Sequence, residues 1–398
     1  MLIIHSSGGK KEMGEPDSRM GFNFERVEGK IYLWNGYSTS PGCFNEIHRD
    51  SEKQIMHVYD IVKQSWHSIK TQGDKIKAYS GSGVCSVGHR IYVFGGYASV
   101  FSNTNSVFDT LSLKWKKLND SGKKPFPRDK LAMLSHEKSF YIFGGWSYAF
   151  SDLQPGASFH NDLKGSGAGW NNEFYKYDTE TNVWSYVQFS GPLPEPRAAS
   201  SFIKIDNDRA LLFGGRTQLK RVSDVYLLNI STNTWNLIIK PLSPLEPWPD
   251  ERCLFLTHLV SNPTSPNPKV VGFWGMDNNN KIINDYWLLD CQSMKWTSIG
   301  HSISNQPVPR LWSRSCSFFN TRTKTAEIYV FGGCQGSLVG PERMYSDTVP
   351  GMIHMEFGLK KLEYLCVEFI VNRIEKIDQF MYEKIPPHLI NLISSKLH

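Results

Sequence analysis

Ile91-Tyr92-Val93-Phe94-Gly95-Gly96 returns almost unchanged as Ile328-Tyr329-Val330-Phe331-Gly332-Gly333. Between the two stand Phe140-Tyr141-Ile142-Phe143-Gly144-Gly145, Ala210-Leu211-Leu212-Phe213-Gly214-Gly215 and a worn copy, Val270-Val271-Gly272-Phe273-Trp274-Gly275. Before them comes Ile31-Tyr32-Leu33-Trp34-Asn35-Gly36. Each is a short run of β-branched, aliphatic and aromatic residues stopped by glycine. That composition predicts a buried strand ending where the backbone needs dihedrals that glycine reaches cheaply.

After the glycines a variable loop leads to a second apolar strand and, past a turn, to a tryptophan. Val58-Tyr59-Asp60 precedes Trp66, Val107-Phe108-Asp109 precedes Trp115, and Tyr177-Asp178 precedes Trp184. Tyr226-Leu227-Leu228-Asn229 precedes Trp235, and Trp287-Leu288-Leu289-Asp290 precedes Trp296. The units recur roughly every 50 to 70 residues, near the kelch period of about 50. The pattern resembles the kelch repeat, a four-stranded blade of a β-propeller, over residues 19–357. It predicts an all-β, six-bladed kelch propeller in which the five repeat tryptophans serve packing.

Two units depart from the rule. The last has no tryptophan strand after Met352-Ile353-His354-Met355-Glu356-Phe357, so the ring must close differently. Leu2 to His5 are expected to supply the missing outer strand, leaving residues 6–18 as a polar leader within an N-terminal segment 1–18. The third unit carries an insertion at residues 147–172, rich in Gly, Ser and Asn, where its neighbours have a short turn. Such loops cap one face of a propeller, the face where ligands bind.

Composition narrows the function. The 398 residues include 23 Phe, 17 Tyr and 12 Trp, with 40% hydrophobic residues, ample for a large core. The formal charge of +6 is spread rather than gathered into runs, so neither a nucleic-acid stripe nor a membrane partner is expected. Seven scattered cysteines, none in a Cys-x-x-Cys pair, argue against a disulfide framework or a zinc site and for free thiols. With no recognisable signal peptide and no apolar run of membrane-spanning length, a cytoplasmic or nuclear location is expected.

Beyond Phe357 the composition turns helical. Leu362, Leu365, Cys366, Phe369, Ile370, Ile374 and Ile377 recur at three- and four-residue steps, and Pro386-Pro387 interrupts before Leu389, Ile390, Leu392 and Ile393. An amphipathic helical tail over 358–398 is predicted. It could be a plain brace under the propeller. However, Leu362-x-x-x-Cys366-x-x-x-Ile370 is similar to the box by which substrate receptors grip elongin C. Ile385-Pro386-x-x-Leu389-x-x-x-Ile393 is similar to the adjoining cullin-2 box.

A kelch propeller followed by these two boxes resembles the kelch-domain-containing substrate receptors of cullin-2 RING ubiquitin ligases, which read C-terminal glycine degrons. The residues carrying the resemblance are Arg128-Asp129-Lys130-Leu131, Gly169-Trp170-Asn171, Pro196-Arg197-Ala198-Ala199, Gly214-Gly215-Arg216 with Arg221 beyond it, and Pro309-Arg310-Leu311-Trp312. The resemblance implies that Arg216 and Arg221 bind the free carboxylate of a substrate's last residue, a task suited to the guanidinium fork. It places Lys130, Trp146, Trp170 and Trp312 on the pocket wall. Two departures bear on specificity: Arg252-Cys253-Leu254 stands where the family has Ser-Trp, putting Cys253 at the site, and Trp146 replaces a tyrosine. A terminus other than Gly-Gly is therefore open.

The expected function is a non-catalytic substrate receptor, without cofactor, whose partners are elongin B/C, cullin-2 and the C-terminal tails of target proteins. A general kelch interaction scaffold is the alternative. An enzyme is not expected, because the chain has no Gly-x-Ser-x-Gly, no His-Glu-x-x-His and no His and Tyr at metal-ligand spacing.

Overall fold

A computed structural model describes residues 2–6, 14–37, 53–77, 79–243, 245–300, 306–335 and 348–358, for residues 2–6 as backbone only. Five blades are each built from a consecutive stretch of chain. The first joins Asn23–Val27, Lys30–Trp34, Ile55–Asp60 and Ser65–Lys70; the second joins Gly83–Val87, Arg90–Phe94, Asn105–Asp109 and Lys114–Lys117. The third contains Ala132–His136, Ser139–Tyr148, Ala168–Asp178 and Val183–Tyr186. The fourth is Ser201–Lys204, Arg209–Arg216, Arg221–Asn229 and Thr234–Ile238, and the fifth Leu256–Leu259, Lys269–Phe273, Tyr286–Asp290 and Lys295–Ser298. All are antiparallel meanders, as short connections between sequential strands require.

The remaining sheet is composite. Arg314–Asn320, Thr325–Phe331 and Ile353–Gly358 form three strands, and Leu2–Ser6 pairs with the third in the register Leu2 to Phe357, Ile4 to Met355 and Ser6 to Ile353. The N-terminal strand thus covers an edge that would otherwise expose its backbone amides. The expectation of six kelch blades and a helical tail is corrected accordingly. Five blades fold from consecutive chain and a sheet from both chain ends closes the ring. The described residues contain no complete helix, and 359–398 lie outside them. No tryptophan strand follows Phe357 in the sequence, and the outer position of this sheet is taken by Leu2–Ser6.

The glycine pairs act at the blade junctions. The Gly215 N–H donates to the Arg252 carbonyl at 2.9 Å, Gly145 to Arg197 at 2.9 Å, Gly96 to Arg128 at 2.8 Å, and Gly333 to Arg19 at 2.9 Å. Each bond ties one sheet to the loop that begins the next, and the last closes the ring. At Gly214 (φ +54°) an added Cβ would lie 2.6 Å from the Arg252 carbonyl oxygen, so this approach requires glycine.

Those same loops carry buried arginines that fasten the third, fourth and fifth blades to themselves. Arg197 donates to the Gly214 carbonyl and, through both Nη atoms, to Asp224; Arg252 does likewise to the Trp274 carbonyl and Asp285. Arg128, wholly buried, pairs with Glu173 at 2.5 Å. Such charges are tolerated inside because every arm is hydrogen-bonded.

The core lies between sheets. Trp66, Trp115, Trp184, Trp235 and Trp296 are all buried. Each outer-strand indole packs on the glycine strand of the preceding sheet: Trp184 on Phe94 at 4.9 Å, Trp235 on Phe143 at 5.5 Å, Trp296 on Phe213 at 5.4 Å, and Trp66 on Phe331 at 5.5 Å. The period of the sequence is therefore the period of the sheet-to-sheet contact.

Candidate functional site

In the fourth blade the glycine strand and its partner continue past Gly215. A register shift between Phe213 and Gly215 sets Arg216 directly opposite Arg221. The turn joining them is held by the Thr217 hydroxyl, which donates to the Lys220 carbonyl at 2.8 Å. Like charges on directly opposed strand positions repel, so this pairing works against the hairpin that carries it.

The two arginines are held differently. Arg221 is buried; its Nη2 donates to Asn280 Oδ1 at 2.8 Å and its Nε to Cys253 Sγ at 3.2 Å, while its backbone N–H donates to Asn278 Oδ1 at 2.7 Å. Arg216 is half-buried, with its guanidinium 5.8 Å from the centre of the Trp170 ring, and has no ion-pair partner among the described residues. Burial, and then the neighbouring Arg221, press its pKa below the ordinary value for arginine. Among the described residues all partners of Arg221 are neutral, so neither guanidinium is compensated there by a carboxylate.

The insertion of the third unit supplies the next wall. It is ordered as a hairpin extending the blade: Ser139–Tyr148 and Ala168–Asp178 pair beyond the glycines, and Phe159–Asn161 adds a short strand. Trp146 thereby faces Trp170, edge to face, with centroids 4.5 Å apart. Lys130 and Trp312 line the same cavity, each in the left-handed region (φ 52° and 60°) at the start of an inner strand. Ala199 and Leu254 adopt the same conformation at the equivalent points of the two intervening blades (φ 55° and 58°). Such backbone is costly for residues with a Cβ, and here it recurs around one mouth. The Lys130 ammonium pairs with buried Asp129, and Trp312 Nε1 is buried without a hydrogen-bond partner.

The structure brings all seven of Lys130, Trp146, Trp170, Arg216, Arg221, Cys253 and Trp312 to the wall of one cavity of about 660 Å³. It adjoins a central cavity of about 830 Å³, and Lys130, Ala199, Leu254 and Trp312 line both. Four cations, Lys130, Arg216, Lys220 and Arg221, line the smaller cavity, with no carboxylate among its lining residues. Lys220 is paired with Glu251 at 2.5 Å and Lys130 with Asp129, which leaves the two arginines available to one anionic group. The Cys253 thiol cannot serve as that anion, since burial raises its pKa more than Arg221 lowers it.

Sequence reasoning missed Met276, Asn278 and Asn280, which come from the loop after the fifth glycine strand. Their signal was the polar turn Asp277-Asn278-Asn279-Asn280, which reads as an ordinary loop until the fold brings it against Arg221. The tail residues Leu362, Cys366, Ile370, Ile385, Pro386, Leu389 and Ile393 lie outside the described residues. Among the described residues no group of three or more His, Cys, Asp or Glu side chains is placed to hold a metal, and no helix is long and apolar enough to cross a membrane.

Kelch blades that carry a cationic, tryptophan-walled cavity define a repeat β-propeller. Residues 21–262 match the KLHDC2/KLHL20/DRC7 Kelch-repeats domain, and the chain belongs to that kelch-repeat family. It is similar to Kelch domain-containing protein 2 of Bos taurus, with 26% identity over 402 residues covering 97% of this chain and 92% of that protein. Kelch domain-containing protein 1 of Mus musculus is 30% identical over 323 residues, 78% of this chain and 74% of that protein. Its Homo sapiens counterpart is 28% identical over 333 residues, 79% and 75% of the two chains. Membership in this family, with a built cavity, fits a protein-interaction role.

Proposed function

We propose that the protein is a non-catalytic substrate receptor of a cullin-2 RING ubiquitin ligase, whose propeller holds the C-terminus of a target protein. The observation that carries the reading is the opposed pair Arg216 and Arg221, uncompensated by any carboxylate among the described residues and walled by tryptophans. A chain terminus brings one carboxylate with two oxygens, the geometry a guanidinium pair accepts. It also relieves the repulsion between the arginines. The aromatic rings Trp146, Trp170 and Trp312 would flank the extended backbone behind the carboxylate.

The ligase half of the reading rests on the tail motifs. Leu362, Cys366 and Ile370 would engage elongin C, and Ile385, Pro386, Leu389 and Ile393 would engage cullin-2. Ubiquitin would be transferred by other subunits, the receptor acting by raising the target's local concentration.

Two measurements test the two halves. Peptides ending in a free carboxylate are compared with amidated copies: losing two charge-assisted bonds at about 1.5 kcal/mol each weakens binding about 150-fold. Equal affinities would refute carboxylate capture. Separately, co-purification with elongin C should be lost on Leu362→Asp or Cys366→Asp. Retention in both variants would remove Leu362 and Cys366 from the elongin contact, and failure of the parent chain to co-purify would leave a kelch scaffold without a ligase role.

A further inference from the structure

Beside the arginines the cavity is apolar. Ala198, Ala199, Cys253, Leu254 and Met276 line it there, and Cys253 and Met276, each 4% exposed, are joined as an isolated backbone bridge. Beneath them Met20, Leu311 and Cys334 continue the apolar cluster, all fully buried. The polar atom of this floor, Cys253 Sγ, already accepts a hydrogen bond from Arg221, so it asks nothing of a ligand. A terminal glycine would leave the floor uncovered, and a second charged group would meet no free counter-charge there, since Lys130 and Lys220 are already paired.

We infer that the last residue of the bound tail carries a small aliphatic side chain, alanine or valine in preference to glycine, seated on Cys253 and Met276. This inference rests on carboxylate capture by Arg216 and Arg221. One buried carbon is worth about a fourfold gain in affinity, so alanine should bind about fourfold tighter than glycine and valine at least as tightly as alanine. Aspartate would bring an unpaired carboxylate onto the apolar floor, and lysine a fifth cation to the cavity.

The test is fluorescence anisotropy on the full chain, with peptides identical except for a last residue of Gly, Ala, Val, Asp or Lys, each as free acid and as amide. Ala and Val acids binding at least fourfold tighter than Gly, with Asp and Lys weaker than Gly, is the expected result. Gly binding as tightly as both overturns the inference while leaving carboxylate capture standing; equal binding of acids and amides refutes carboxylate capture itself. Cys253→Ser puts a hydroxyl into the floor and should lower the Ala-to-Gly ratio. Because both peptides are read on one preparation, that ratio does not depend on how much of the variant folds. An unchanged ratio would remove Cys253 from the assignment.

Discussion

Replacing Arg216 by Ala should separate binding from stability. Among the described residues the guanidinium touches no carboxylate; it rests over Trp170, while Arg221 stands directly opposite. Removing it forfeits charge-assisted bonds to a bound carboxylate worth about 1.5–3 kcal/mol, a loss of about 10- to 150-fold in affinity. The fold loses a like-charge contact worth about 0.2–1 kcal/mol, so thermal stability should stay level or rise slightly. Arg221→Ala should behave otherwise, because Asn280 Oδ1 and the buried thiol of Cys253 lose their donor. Leaving a buried acceptor unsatisfied costs about 1–3 kcal/mol, so this variant should weaken both binding and folding. Calorimetric titration with a free-acid peptide and thermal denaturation of both variants supply the data. If Arg216→Ala bound the free acid as tightly as the parent, or weakened acid and amide equally, the reasoning would fail.

Glu173→Gln should cost about 3–5 kcal/mol in urea denaturation, because Arg128 would remain wholly buried without its counter-charge. Burial holds the His258 pKa down to about 3, against about 6.5 when unfolded. The unfolded chain therefore takes up the proton first, and this contribution, complete above about pH 6.5, is lost as pH falls toward 3. His258→Gln, which can keep a bond to the Ser315 hydroxyl, should lose less stability than the parent between pH 7 and pH 5. Deleting residues 1–6 should lower the melting temperature and promote aggregation in light scattering, because the edge strand Ile353–Gly358 loses its partner.

Much of this was readable in the chain. Apolar runs stopped by glycine and followed by Trp184, Trp235 or Trp296 could only be buried strands of a repeat, since burial on both faces removes the polar alternation of an exposed sheet. Arg216 stood out because Gly215 is followed at once by a charge. A pairing of Leu2 to His5 with the last sheet was anticipated from a missing tryptophan strand, and the strand observed runs from Leu2 to Ser6. What the repeat hid was that this last unit is not a blade, for three of its strands do match the pattern. The arginine and acid pairs inside the blades were also hidden: Arg197 and Asp224, or Arg252 and Asp285, read as surface charges when seen singly.

The sequence by itself determined the scaffold, because strand period, glycine stops and outer tryptophans are local features that each unit repeats. The family resemblance it carries pointed to the arginines on either side of one turn. Only the tertiary structure decided what surrounds them. Asn278 and Asn280 reach Arg221 across 57 and 59 positions, Cys253 across 32, and Trp170 reaches Arg216 from the preceding blade. Contacts between blades depend on ring closure, which no single repeat encodes. That no carboxylate among the described residues stands beside the two guanidinium groups could be seen only once their loops were placed.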